Sequence, residues 1–185
     1  MSRVCIFLAD GFEEIEGLTV ADILRRAGVD VGTVSITDER MVTGSHRIPV
    51  QADVCFDQAD FSDTELFVLP GGMPGTKNLG ECGKLTKLLT DSFAAGKRIA
   101  AICAAPSVLG DMGILRGKKA CCYPGFEERL AGAQVVFDRV VQDGTVTTSR
   151  GMGTAISFAL ALTEQLVSAQ KAREVRESIL YGHAS

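Results

Sequence analysis

Cys103 is the residue in this chain most suited to covalent chemistry. It lies in IAAICAAPSVLG (Ile99 to Gly110), where an apolar strand pattern runs into Pro106 and must stop. A strand that passes straight into a helix has to turn sharply, and small residues must flank the turn. Ala101 and Ala105 stand two positions either side, as small residues do in the nucleophile elbow of hydrolases. Such a turn lifts the thiol out of the sheet. The next helix presents free N–H groups and a positive dipole end, which lower a thiol's pKa. Pro106 fits its first turn, where no donor is needed. Buried cysteines are common in cores, so it is the junction that favours a reactive group over a packing residue.

Three other stretches can serve such a thiol. In PGGMPG (Pro70 to Gly75), two glycines after a strand leave N–H groups bare, so Gly72 and Ala104 N–H can converge on one oxyanion beside Cys103. Taken alone, this stretch reads as a plain loop. In DGFEEIEG (Asp10 to Gly17), Glu13 and Glu16 share one helix face, and Gly17 leaves room for a neighbour. A carboxyl packed near the elbow can stay protonated and donate to the thiolate, or act as a general acid/base. Acidic residues also favour a first helical turn whatever their function. In TSRGMGT (Thr148 to Thr154), Arg150 is placed to bind an anion or a subunit partner, and helix capping is the competing reading.

These residues need a scaffold that brings strand ends together, and the order of elements supplies one. VCIFLA (Val4 to Ala9), VGTVSIT (Val31 to Thr37), ELFVLP (Glu65 to Pro70) and KRIAAI (Lys97 to Ile102) read as strands, the apolar runs being central. Helices are predicted at Glu13 to Ala27, Leu79 to Ala95, after Cys103 to about Asp111, Met152 to Val167 and Gln170 to Leu180. Met41 to Val54 reads as a hairpin excursion. KKACCY reads as a short strand, Phe126 to Leu130 as a short helix, and AQVVFDRVVQDGTVTTS as two strands turning at Asp143-Gly144. The alternation predicts an α/β fold with a doubly wound, mostly parallel sheet flanked by helices, spanning residues 1–185 as one domain. Ligands in such folds bind at the carboxyl ends of strands, where Asp10 to Glu16, Pro70 to Gly75 and Cys103 all fall.

Composition narrows the classes. The chain has 185 residues, 46% apolar and 23% charged, with a formal net charge of −4. Nothing advertises a basic face for nucleic acid, a membrane span or a secretory leader. No glycine-rich nucleotide motif occurs. Six cysteines in a long, core-rich chain read as reduced cytoplasmic thiols rather than a disulfide framework. A zinc site is disfavoured: the histidines are His46 and His183, no C-x-x-C pair exists, and Cys121 and Cys122 would point to opposite faces of a strand.

Together, DGFEEIE, DILRRAG (Asp22 to Gly28), LPGG, AAICAAP and TSRGMGT, in that order, resemble the DJ-one branch of the ThiJ/PfpI superfamily, within the class I glutamine amidotransferase-like fold. The resemblance implies a flavodoxin-like three-layer sandwich. It implies that Cys103 is an oxidation-sensitive nucleophile, that Glu16 is its carboxylic acid partner, and that Gly72 and Ala104 are backbone donors. It places Glu13, His46, Tyr123 and Arg150 at the substrate-site rim. It further implies a homodimer with the first helix, the hairpin, Arg25, Arg26 and His46 near the interface. The implied activity needs no cofactor and no metal: glyoxalase III or deglycase processing of α-oxoaldehydes or glycated substrates. The alternative is a redox sensor or stress chaperone whose cysteine is oxidised to a sulfinate; a third class is a binding module with an inert cysteine. Tyr123 stands where the branch commonly has a histidine, and His46 where some members have an arginine. With no histidine after Cys103 until His183, an amidotransferase-type triad and amide hydrolysis are disfavoured.

Overall fold

The computed structural model describes residues 3–182; His183 lies outside them. In chain order come β1 (Val4–Leu8), β2 (Val31–Ser35), a hairpin of β3 (Met41–Thr43) and β4 (Pro49–Gln51), then β5 (Val54–Cys55), β6 (Leu66–Leu69) and β7 (Arg98–Ile102). β8 (Lys119–Ala120) pairs with β9 (Gln134–Val135), and β10 (Val140–Asp143) with β11 (Val146–Ser149). The helices are α1 (Glu14–Arg26), α2 (Gly75–Glu81), α3 (Gly83–Ala94), α4 (Pro106–Asp111), α5 (Ala155–Leu166) and α6 (Ala169–Ser178).

The main sheet runs β10-β11-β7-β6-β1-β2-β5, parallel except where β10 meets β11. Fully buried strands need both faces covered, and the side chains of β1 alternate accordingly. Val4, Ile6 and Leu8 join Val20, Leu24, Phe158 and Leu162 in the layer under α1 and α5. Cys5 and Phe7 join Phe67, Leu79, Leu85, Leu89 and Val108 in the layer under α2, α3 and α4. Each large apolar side chain so buried contributes roughly 1.5–3 kcal/mol, which fixes both helical layers to the sheet. Among the described residues no helix is long and apolar enough to cross a membrane.

The register sets up the site. Leu8 pairs with Ser35, Leu69 with Ala101 and Ile102 with Ser149, so the carboxyl ends of the central strands lie level. The chain leaves β1 toward β2 on one side, while β6 lies on the other. The crevice between β1 and β6 is therefore the topological switch point, where such sheets bind ligands.

Three local expectations are corrected. The helix predicted from Leu79 to Ala95 is two helices that start at Gly75 and break at Cys82, whose backbone is extended (ψ 96). Gly80 and Gly83, poor helix formers on either side, weaken continuation there. The predicted strand KKACCY covers only Lys119–Ala120. Beyond it the chain bends toward the elbow: Cys121 N–H donates to Thr148 Oγ1, and Tyr123 N–H donates to the Cys103 carbonyl. Cys121 and Cys122 thus lie beyond the strand rather than alternate within it. The helix predicted from Met152 opens as a 3-10 turn (Met152–Thr154), where Thr154 Oγ1 accepts from Gly151 N–H, before α5 begins.

Candidate active site

Cys103 occupies the turn between β7 and α4 with φ +66, a left-handed conformation that costs a non-glycine residue on the order of 1–3 kcal/mol. Its backbone is held on both sides: its N–H donates to the Ser149 carbonyl at 3.0 Å, and its carbonyl accepts from Tyr123 N–H at 2.8 Å. Pro106 opens α4, as its missing donor allows. The strained turn presents the sulfur half-buried above the sheet, with Gly72 and Ala104 N–H both directed to it.

Glu16 approaches from α1 and is 1% exposed. Its Oε2 accepts from Gly71 N–H at 2.8 Å. Its Oε1 is buried with no hydrogen-bond partner among the described residues, and the Cys103 thiol is the titratable group beside the carboxyl. The close fit depends on Gly71, where a Cβ would lie 2.6 Å from Cys103 Cβ and 2.7 Å from Glu16 Oε2. Gly17, as its position suggested, admits a neighbour: the Phe12 ring.

Burial pushes the Glu16 carboxyl up to about 7, more than its contacts with Cys103 and Gly71 N–H bring it down, and the Glu13 charge adds to the rise. Burial, then the charge and hydrogen bond of Glu16, push the Cys103 thiol up to about 12 against the Ala104 and Gly72 N–H groups. The expectation of a simply depressed thiol pKa is therefore corrected. Two acids in contact titrate as a pair: the first proton leaves near 7, and from there to about 12 the two groups share the one that remains. The singly ionised pair has two forms, thiol with carboxylate and thiolate with carboxylic acid. The inward N–H groups and the burial of Glu16 favour the second, while the burial of the sulfur and the Gly71 N–H on Glu16 favour the first. The first predominates, and the second is the reactive minor form.

A cleft of about 860 Å³ opens over the sulfur. Its lining includes all four rim residues of the sequence reading, Glu13, His46, Tyr123 and Arg150, together with Cys103 and Glu16. Tyr123 is 49% exposed and its ring lies against Gly151. The TSRGMGT loop does cap the helix start, through Thr154 Oγ1, while Arg150 turns elsewhere: its Nε donates to the Cys122 carbonyl at 3.4 Å, and its guanidinium lies 5.4 Å from the centre of the Phe137 ring. Phe137 and Arg139 also line the cleft and escaped the sequence reading. The available signal was an aromatic and a cation in FDR, just ahead of a strand beside the elbow strand.

Glu14 has a separate task. It is 3% exposed and accepts from His46 N–H at 2.8 Å, Ile48 N–H at 3.4 Å and Ser45 Oγ at 3.3 Å, so it ties α1 to the β3–β4 hairpin. Burial alone would raise this carboxyl, but its own backbone N–H and the His46 and Ile48 donors hold it at about 2. His46 Nδ1 lies 3.1 Å from Glu14 and 3.6 Å from Glu13, and the Glu14 hydrogen bond and both charges raise the imidazole's pKa. Glu13, Glu14 and His46 are the one group among the described residues whose ligand atoms gather within 4.8 Å, a cluster that the cysteine-based argument against zinc did not weigh. Those atoms engage one another and Ser45.

Comparison with known proteins agrees with this architecture. The chain is 42% identical to Protein DJ-1 homolog B of Arabidopsis thaliana over 94% of its own length and 40% of that protein's. It spans less than half of the two Arabidopsis relatives (40% and 46%). It is 37% identical to Protein dj-1beta of Drosophila melanogaster over 96% of each chain, and 34% identical to a protein named as a deglycase in Pyrococcus abyssi, over 82% and 91%. Among solved structures, a DJ-1 superfamily protein of Salmonella typhimurium, a C103A mutant, superposes with TM-score 0.94 at 34% identity, covering 99% and 100% of the two chains. Toxoplasma gondii DJ-1, in an oxidised form, gives 0.94 at 35%, with the same coverage. The DJ-1/PfpI family model matches residues 2–165, a stretch that contains the elbow, the PGG turn and the acidic start of α1. By that match, and by relatives aligned over nearly their whole length, this chain belongs to the DJ-1/PfpI family.

Proposed function

We propose that the protein converts α-oxoaldehydes, free or as glycated adducts, to hydroxy acids without a cofactor. Cys103 is the nucleophile, Glu16 the proton-transfer group, and Gly72 and Ala104 N–H the oxyanion donors. The observation that carries this reading is the buried Glu16 carboxyl packed beside Cys103 at a positive-φ elbow, with the Gly72 and Ala104 N–H groups on the sulfur's side. The thiolate adds to the aldehyde carbon, and the shared proton passes from Glu16 to the new alkoxide, giving a hemithioacetal. Glu16, now a carboxylate, takes the C1 proton and returns it to C2 while the C1 hydroxyl proton moves to the C2 oxygen. The product is a 2-hydroxy thioester, which water hydrolyses to the hydroxy acid and the free thiol. Tyr123 brings a phenol to the cleft where the family commonly has an imidazole, and a phenol exchanges protons less readily, so slow turnover is expected. The name of the Pyrococcus relative accords with the deglycase side of this reading.

The test is lactate formation from methylglyoxal. Wild-type protein yields lactate, and Cys103→Ser falls to the uncatalysed rate. Wild-type rates from Cys103→Ser would sink the mechanism.

One observation favours a second reading, a redox sensor. A cysteine sulfinate needs acceptors satisfied in a confined space, and Glu16 as acid with Gly72 and Ala104 N–H would supply three donors around the sulfur. Two peroxide molecules would each transfer one oxygen to the sulfur and leave as water. Among the relatives, the Toxoplasma structure is described as oxidised and the Salmonella structure is of a mutant lacking a cysteine, which accords with this reading. Intact mass and peptide mapping after mild peroxide should place two oxygens on Cys103 ahead of the other cysteines.

We also propose a homodimer across α1 and the hairpin. Ile15 and Leu18 on α1, with Met41 and Ile48 on or beside the hairpin strands, are large apolar side chains left 37–52% exposed, an arrangement that a second copy would cover. A cytoplasmic, reducing setting suits the six free thiols.

A further inference from the structure

The cleft over Cys103 is much roomier than a three-carbon aldehyde requires, and its charges are segregated. Glu13 and Glu16 lie on the α1 side. Across the opening stand Arg139, just before β10, and Arg150, just after β11. Arg3, Arg25, Arg26 and Arg129 are paired with carboxylates on the surface, whereas these two guanidinium groups line the cleft itself. Neither Arg139 nor Arg150 has a carboxylate within 4.0 Å among the described residues. Arg150 is also held in place rather than free to sweep. Its Nε is tied to the Cys122 carbonyl and its plane packs by Phe137, so the outer edge of the guanidinium is left for a ligand. Glu16 and the inward N–H groups fix where a carbonyl must sit. A guanidinium fork prefers a planar oxyanion that it can grip through two hydrogen bonds.

We propose that Arg139 and Arg150 form an anion subsite that selects α-oxoaldehydes bearing a carboxylate, with the aldehyde at Cys103 and the carboxylate across the cleft. This rests on the aldehyde-processing reading and names the substrate class within it. The acidic α1 wall repels the reversed pose, so the same charges set orientation as well as affinity.

Two measurements test it with distinguishable failures. The first compares kcat/KM for 4,5-dioxopentanoate with that for 2-oxopentanal, an α-oxoaldehyde of equal chain length without the charge. A preference of about tenfold or more for the anion is expected, the scale of one charge-assisted hydrogen bond. In the Arg139→Gln/Arg150→Gln double variant the ratio falls toward one, and in the double Arg→Lys variant part of it returns. The second needs no turnover: protection of Cys103 against iodoacetamide by 4-oxopentanoate, which keeps the ketone–carboxylate spacing and lacks the aldehyde. Protection is expected from 4-oxopentanoate and not from 2-pentanone, and it should be lost in the Gln variant. Equal kcat/KM for both aldehydes, with no protection, overturns the subsite and leaves the aldehyde reading standing. Protection without turnover of either aldehyde sustains the subsite and overturns the reaction.

Discussion

Glu14 and Glu16 stand two residues apart in the first turn of α1, both almost fully buried, and their carboxyls are driven in opposite directions. Glu14 faces the hairpin, where N–H and O–H donors surround it, and it is held at about 2. Glu16 faces the elbow, where one backbone donor and a thiol meet it, and it is lifted to about 7. Both are shut off from solvent, but Glu16 lies far deeper among protein atoms, so heavier desolvation and a smaller supply of donors act together. One carboxylate is a fixed anion that organises a loop. The other keeps a proton it can trade, because the loop it meets offers it Gly71 N–H while Gly72 and Ala104 N–H serve the sulfur instead.

The largest effect that would separate the two is on chemistry. Glu16→Gln removes the proton acceptor, and turnover of methylglyoxal should fall by about 10²–10⁴-fold. The pH profile of Cys103 alkylation by iodoacetamide should also change shape. Wild-type protein should show an inflection near 7, the first ionisation of the pair, and Glu16→Gln should lose it. Glu14→Gln should keep that inflection. If the two variants gave the same profile, the distinction between the carboxylates would fail.

Much of this contrast was legible in the sequence and part was not. The elbow could be read because Pro106 and the flanking alanines leave the chain between Ile102 and Ser107 few conformations. Period and strand order bring Glu13 and Glu16 together to the same sheet edge, and the family resemblance is what chose Glu16 between them. The role of Glu14 could not be read, since its donors come from His46 and Ile48, on a hairpin whose docking against α1 no local pattern encodes. Arg139 and Phe137 were missed for a related reason: the segment from β9 to β10 is irregular, and only the fold brings it over β7 and the thiol. The break at Cys82 was hidden by apolar spacing that continues across it, as Leu79 and Leu85 are both buried in the same layer.

Two glycines sharpen the comparison at an intermediate scale. A Cβ at Gly71 would strike Cys103 and Glu16, and one at Gly44 would lie 2.2 Å from Glu14 Cδ. Both alanine variants should destabilise the fold by about 1–3 kcal/mol, the range for overpacking. Their effects on the thiol should differ. Gly71→Ala should also abolish the neutral-pH inflection of Cys103, while Gly44→Ala should leave it and instead speed amide exchange at His46 and Ile48. Loss of the inflection in both would show that hairpin and elbow act as one unit.

The smallest effect, and the most direct on the carboxyls themselves, is the pH dependence of stability. The folded state holds the Glu16 proton more tightly than the unfolded chain does, so from about 4.5 to about 7 the native protein binds more protons. Stability from this group is thus fully present below the lower value and declines as pH rises, by up to about 1.4 kcal/mol per pH unit. Between the two values the whole decline comes to roughly 3 kcal/mol. Glu14 runs the other way. Its folded pKa is depressed, so its contribution is present above about 4.5 and is lost as pH falls toward about 2. Urea denaturation of Glu16→Gln should therefore show a variant that gains on wild type between pH 5 and pH 8. The same measurement on Glu14→Gln should show one that trails wild type at pH 7 and draws level near pH 2. Parallel curves for the two variants would mean that burial, rather than the donors each carboxyl meets, governs both.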